Sequence, residues 1–221
     1  MRITRVTATP IVAPESVKQE ASWLSESLVA NPMSIYPGYK DRRSSWGAKW
    51  GPEVLVRIET DDGLVGIGGS APAPARQMIE EHFANLLAGQ DPFNIELLWD
   101  QMFRASLPYG RKGLPIMAIS AVDTALWDLV GKATGQPLWR LLGGKVRDPL
   151  PAYSTGNDVA RYKSLGFDKF KLAMPYGPAD GWAGMKGNIA LVEETRAYRL
   201  WLTTPARRRR LCRRTSGSGS G

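Results

Sequence analysis

Gly166-Phe167-Asp168-Lys169-Phe170-Lys171-Leu172-Ala173-Met174-Pro175 reads as a short buried strand carrying two ammonium groups two residues apart. Side chains at i and i+2 of a strand share a side, so Lys169 and Lys171 project together while Phe170 and Leu172 face the other way. Two like charges on an apolar strand are costly unless that face opens onto water or anions. Lysines placed this way suit a base or a carboxylate clamp. An exposed edge strand guarded by lysines would show the same spacing. The sequence on either side weighs between the two.

Around this run the chain alternates. Leu150 to Thr155 reads as a strand, Asp158 to Leu165 as a short helix, Lys169 to Met174 as the next strand, and Asn188 to Arg196 as the start of another helix. That order implies parallel strands joined by crossovers. Upstream the pattern differs. Arg2 to Ala13 reads as a first strand with Pro10 at its end. Residues 14–50 are polar and aromatic and too rich in Pro and Gly for regular structure, and a loop of that length is commonly functional. Glu53 to Ser70 reads as a hairpin in which Val54, Val56 and Ile58 alternate with Leu55, Arg57 and Glu59 about an Asp62-Gly63 turn.

Three helices follow. Ala75 to Ala88 places Ile79, Phe83, Leu86 and Leu87 on one stripe, and Ile95 to Ala105 repeats apolar residues at helical spacing. Leu114 to Ala133 is apolar nearly all round and rich in alanine, which predicts a closely packed core helix. Asp128 and Lys132 form an i,i+4 pair of favourable order on it, and Gly135 with Pro137 ends it. The fold class expected is an α+β capping domain (an antiparallel meander plus a three-helix bundle) over residues 1–145. The start of an incomplete (β/α) TIM-type barrel follows over 146–196, and an Arg-rich and Ser/Gly-rich tail over 197–221. A full barrel needs about 250 residues, and 72 follow residue 149.

The 221 residues carry a net charge of +8, and 43% are hydrophobic, enough for a real core. Of the 29 basic residues, seven are arginines in the tail, so 22 remain against 21 acids in a body close to neutral. That distribution does not point to nucleic acid, whose binders spread basic charge over a folded face. No apolar run approaches the ~18 residues of a membrane helix, so no membrane partner is expected. The lone Cys212 excludes an intramolecular disulfide framework and fits a cytoplasmic protein.

Ala121-Val122-Asp123-Thr124-Ala125-Leu126-Trp127-Asp128, then Gly131-Lys132, Gly135, Pro137-Leu138 and Leu141-Leu142-Gly143-Gly144, resembles the helix that closes the cap domain in the mandelate racemase branch of the enolase superfamily. Lys169-Phe170-Lys171 resembles that branch's Lys-x-Lys at the end of the second barrel strand. The segments from Asn31 to Gly47 and from Met174 to Asn188 are similar to the L-rhamnonate dehydratase family within it. The resemblance covers residues 1 to about 196 and implies an acid-sugar dehydratase. Such an enzyme removes the proton α to a carboxylate, stabilises the enediolate on Mg²⁺ and expels the β-hydroxyl as water.

By the same resemblance Lys171 and Lys169 are the catalytic candidates and Arg43 the substrate-binding one, a guanidinium suiting bidentate anion contact. Lys169 departs from the glycine that rhamnonate dehydratases tend to carry there, and the loop histidine that contacts substrate in them has no counterpart. The family's Mg²⁺ is held by three carboxylates on later barrel strands and its acid/base work is done by a His–Asp pair. Both are expected to be absent from this chain. The parent enzymes are homo-oligomers. His82 is expected to be structural, Asp123 to bond a neighbouring helix or loop, and Tyr36 and Trp46 either to wall the site or to pack within the loop.

After Arg196 the family pattern stops, and the Arg, Pro, Ser and Gly run has the composition of a GC-rich gene read out of frame. A frameshift or gene fragment near residue 197 is therefore expected; with two strands and not eight, residues 150–196 are expected to be poorly ordered or to aggregate, and turnover to be slight. The alternative is a non-catalytic binding or scaffold fragment with a basic tail.

Overall fold

The computed structural model describes residues 1–12, 14, 29–40 and 51–197. They fall into two compact units, one with the described residues up to 14 and from 51 to 150, the other with 29–40 and 151–197. The loop at 29–40, counted with the first 145 residues on sequence, therefore belongs with the second unit.

The first unit is built on a three-stranded antiparallel meander, β1 (Ile3–Pro10), β2 (Val54–Thr60) and β3 (Val65–Ala71), in that spatial order. Alternation fixes its inner face: Val54, Val56 and Ile58 of β2 are buried beside Ile3, Val6 and Ala8 of β1. Helices α1 (Ala75–Gln77), α2 (Ala84–Leu87) and α4 (Leu114–Thr134) pack on the sheet, α3 (Ile95–Ser106) packs on α4 and α2, and α5 (Leu138–Leu141) follows.

Between α1 and α2 the single expected helix widens into a π turn, Met78–Phe83. The buried residues there are Ala75, Ile79, Phe83 and Leu87, a strict spacing of four. An α-helix turns every 3.6 residues and would carry such a stripe off the core; a stretch of i→i+5 bonding slows the rotation and keeps it facing inward.

Helix α4 is the centre of this unit. Ala118, Ile119, Ala121, Val122, Ala125, Leu126, Leu129 and Val130 are all buried. By length and composition α4 would also pass for a membrane span, but half of that window is buried inside the protein, as in the core helix expected from its apolar surface. Strand β3 lies on its alanine face with no room to spare. A Cβ at Gly66 would stand 2.2 Å from the Ala125 carbonyl oxygen, and one at Gly68 would stand 2.3 Å from both the Ala121 carbonyl oxygen and the Ala125 nitrogen.

Side chains from the helices finish the rims of this sheet. Asp128 accepts from the Ile67 N–H at 2.8 Å, Lys132 donates to the Val65 carbonyl at 2.9 Å, and the two ion-pair at 2.5 Å. The expected i,i+4 pair thus also stands in for a fourth strand along β3. On the opposite rim Glu80 accepts from the Ala8 N–H at 3.0 Å and from Arg76 at 2.8 Å. Burial works to raise the Glu80 carboxyl, but the Ala8 N–H and Arg76 together hold it below the usual carboxylate range.

In the second unit β4 (Ser154–Thr155) and β5 (Phe170–Lys171) pair in parallel, with α6 (Val159–Ser164) as the crossover. The strands were expected over Leu150–Thr155 and Lys169–Met174; backbone pairing covers two residues of each, and beyond Lys171 the Asn157 carboxamide takes over at Ala173. Helix α7 (Gly181–Ala197) starts seven residues before the expected Asn188, led in by a 3₁₀ turn at Pro178–Asp180. Its early glycines do not break it because an aromatic ring occupies the space beside them. A Cβ at Gly187 would meet the Tyr176 ring at 2.4 Å.

Gly68→Ala tests the packing of β3 on α4. Backbone atoms on both sides cannot yield, so we expect a loss of about 3 kcal/mol or more, read as a lower urea midpoint. A wild-type midpoint would show that the strand can lift from the helix at no cost.

Candidate active site

The site is assembled on the segment that runs from β5 into α7. The rungs between the strands run through Ser154 N–H to the Lys169 carbonyl and Gly156 N–H to the Lys171 carbonyl, both at 3.0 Å. Both lysine main chains therefore face β4, and their side chains share one side of the sheet. Past Lys171 the ladder continues through a side chain. The Asn157 carboxamide accepts from the Ala173 N–H at 2.8 Å and donates to the Ala173 carbonyl at 3.0 Å. It reproduces what a further residue of β4 would offer.

Asn188 repeats the device from α7. It accepts from the Tyr176 N–H at 3.3 Å and donates to the Tyr176 carbonyl at 2.9 Å. Between the two clamps, the Met174 carbonyl accepts from the Ala30 N–H at 2.9 Å. Asp180 caps the turn by accepting from the Gly177 N–H at 2.8 Å, and Lys40 is ion-paired with it. The chain from Ala173 to Gly177 is thus held from several directions. Asn157, Asn188 and Asp180 were not singled out on sequence. The signal for Asn157 is its place in Gly156-Asn157-Asp158, directly after a strand and before a helix, where short polar side chains bond main chain.

Lys171 lies on β5 with its side chain exposed. Lys169 lies just before β5, half-buried, and its ammonium contacts the Asp168 carboxylate at 3.1 Å. The strand expected to be buried is half-buried at Phe170 and Leu172, since among the described residues β5 has one neighbouring strand. The pair's charge is accordingly relieved by water and by Asp168 rather than forced into an apolar setting. Arg43 and Trp46 lie outside the described residues. Tyr36 is exposed between two 3₁₀ turns.

Two other candidates resolve in the first unit. His82 Nδ1 pairs with the Tyr109 hydroxyl at 2.8 Å and its ring tilts against Phe83, a packed and hydrogen-bonded arrangement. Asp123 makes no hydrogen bond to a described residue, contrary to the bond expected of it. Burial first, and the nearby Glu96 second, push its carboxyl up. Among the described residues no three His, Cys, Asp or Glu side chains converge as a metal site. None of these residues is assigned to a metal.

Residues 47–143 match the family "Mandelate racemase / muconate lactonizing enzyme, N-terminal domain". The fold is that of an enolase-superfamily protein: a capping domain with an antiparallel sheet and helices, leading into the start of a TIM-type barrel. Within that superfamily the chain belongs with the rhamnonate dehydratase-like proteins. A protein of Caldivirga maquilingensis is 47% identical over 169 residues, covering 76% of this chain and 42% of that protein. The L-rhamnonate dehydratase of Saccharopolyspora erythraea is 42% identical over 178 residues, covering 80% of this chain and 45% of the relative. The crystal structure of rhamnonate dehydratase from Gibberella zeae complexed with Mg superposes with a TM-score of 0.79 at 38% identity, over 89% of this chain and 50% of that one. The chain therefore spans about half the length of the relatives it matches.

Asn157→Ala should free the Ala173 amide and carbonyl at once. We expect exchange at Ala173 to accelerate by about tenfold or more, while Asn157→Asp, which keeps the acceptor, loses less. Unchanged exchange in Asn157→Ala would mean that the backbone rungs alone hold this segment.

Proposed function

We propose that this chain carries the cap and first lysine-bearing strand of an acid-sugar dehydratase acting on L-rhamnonate or a close relative. Lys171 is its principal site residue, with Lys169 beside it and Arg43 contributing from the loop. The observation that supports it most is the anchoring of the segment after Lys171 by Asn157, Asn188 and Asp180. So much main-chain restraint beyond a two-residue strand is what a positioned lysine needs, and an edge strand guarded by charge does not need it. The same segment carries the likeness to the rhamnonate dehydratases.

The chemistry is loss of water from a 2,3-dihydroxy acid. The proton on C2 leaves to a base, the C3 hydroxyl departs with a proton as water, and the enol left behind becomes the 2-keto-3-deoxy acid. An ammonium at Lys171 favours the carboxylate of the substrate, whose charge grows as the C2 proton leaves. No step is assigned to a metal, and we expect slight turnover by this chain alone.

The second reading is a non-catalytic binding fragment with a basic tail, favoured by the seven arginines among residues 197–221. Phosphate contacts weaken steeply with salt, so DNA binding that vanishes between low and moderate salt would favour it. Titration calorimetry with L-rhamnonate separates the two. We expect binding by the chain to weaken about tenfold or more in Lys171→Ala and to be partly kept in Lys171→Arg. Equal binding by wild type and Lys171→Ala would remove Lys171 from the site.

A further inference from the structure

Two segments of the second unit meet through one carboxylate. Asp180 uses both of its oxygens, Oδ2 for the Gly177 N–H at 2.8 Å and Oδ1 for the Lys40 ammonium. Its side chain is 6% exposed, so the anionic half of the ion pair is buried. Such a carboxylate is costly unless its partners stay in place. Capping the Gly177 turn does not need a charge; a neutral Asn oxygen would accept the same N–H. What needs the charge is Lys40, at the end of the described loop. That loop is fixed at its other end as well, where Ala30 donates to the Met174 carbonyl at 2.9 Å. In sequence Lys40 stands three residues before Arg43, and Asp180 nine after Lys171.

We propose that Lys40 and Asp180 are a positioning pair that latches the 29–40 loop onto the segment following Lys171, so that this loop is held in register with the lysine strand. Its value for binding rests on the sugar-acid reading above; the latch itself does not. Asp180 is held below the usual carboxylate range, by Lys40 first and by the Gly177 N–H second; among the described residues Lys40 is the charged group whose field acts on it. The latch is therefore complete above the ordinary carboxylate value and opens as pH falls through the lowered one.

Amide exchange on the full chain, followed by mass spectrometry over residues 29–40 and 172–180, reads the latch directly. Asp180→Asn keeps an acceptor for Gly177 and removes the charge, and Lys40→Met keeps the stem and removes the ammonium. Both should accelerate exchange at Ala30 about fivefold, leave the hairpin at 54–71 unchanged, and abolish the acid-dependent opening seen in wild type. Lys40→Arg should restore protection. Wild-type exchange at Ala30 in both variants would overturn the proposal. Should Asp180→Asn lose protection across the whole unit, Lys40→Met, with its Gly177 contact intact, decides. Titration with L-rhamnonate runs alongside. Weaker binding in both variants supports the latch as a positioning device. Wild type that ignores L-rhamnonate while the exchange pattern holds would defeat the sugar-acid reading and leave the latch standing.

Discussion

The contact between β3 and α4 constrains the first unit more than any other. Two glycines on the strand lie against helix backbone where even a methyl group would overlap main-chain atoms. Helix and strand approach that closely only if both present small surfaces, and α4 answers with Ala121 and Ala125. The close approach then makes other contacts possible. Asp128 and Lys132, one helical turn apart, reach the main chain of β3 only because the helix axis is so near. Leu126 and Leu129 sit fully buried alongside. A larger residue at 66 or 68 would disturb packing, rim and core together.

The second unit is organised on a different principle. Its sheet is two strands of two residues, too little to hold a site by backbone pairing. Restraint comes from side chains that imitate backbone: the carboxamides of Asn157 and Asn188 each satisfy one N–H and one C=O of the segment they hold. Each amide closes two bonds with one rigid group, which costs less side-chain ordering than two separate partners would. The ring of Tyr176 against Gly184 and Gly187 adds shape to that restraint. The lysine strand gains a defined position from residues that bond the main chain just beyond it.

Much of this was legible in the sequence, for identifiable reasons. The Val54, Val56, Ile58 alternation and the all-round apolar character of α4 reflect burial, and burial leaves a periodic trace. The i,i+4 order of Asp128 and Lys132 predicted their pairing, though not that the pair also serves β3, since that depends on a partner remote in sequence. The widening at Met78–Phe83 could have been suspected from the four-residue spacing of Ile79, Phe83 and Leu87. The start of α7 was misplaced because its glycines argue against a helix until Tyr176 is seen beside them. For the site, Lys169 and Lys171 could be named from spacing and resemblance, but Asn157, Asn188 and Asp180 carry no periodicity. Arg43 lies outside the described residues, so its part in the site rests on the resemblance.

The side chains along the meander's rims also bear on how this domain can vary. Carboxylates from two helices and one ammonium occupy main-chain positions that an added strand would need. An extra strand could join only by evicting a charged group from a short hydrogen bond, and a change at Glu80 or Asp128 would give up helix anchoring in return. Growth of the meander is thereby discouraged at both borders, and insertions are accommodated more cheaply in the connections between elements. Three strands is the width at which the helices above it set the limit.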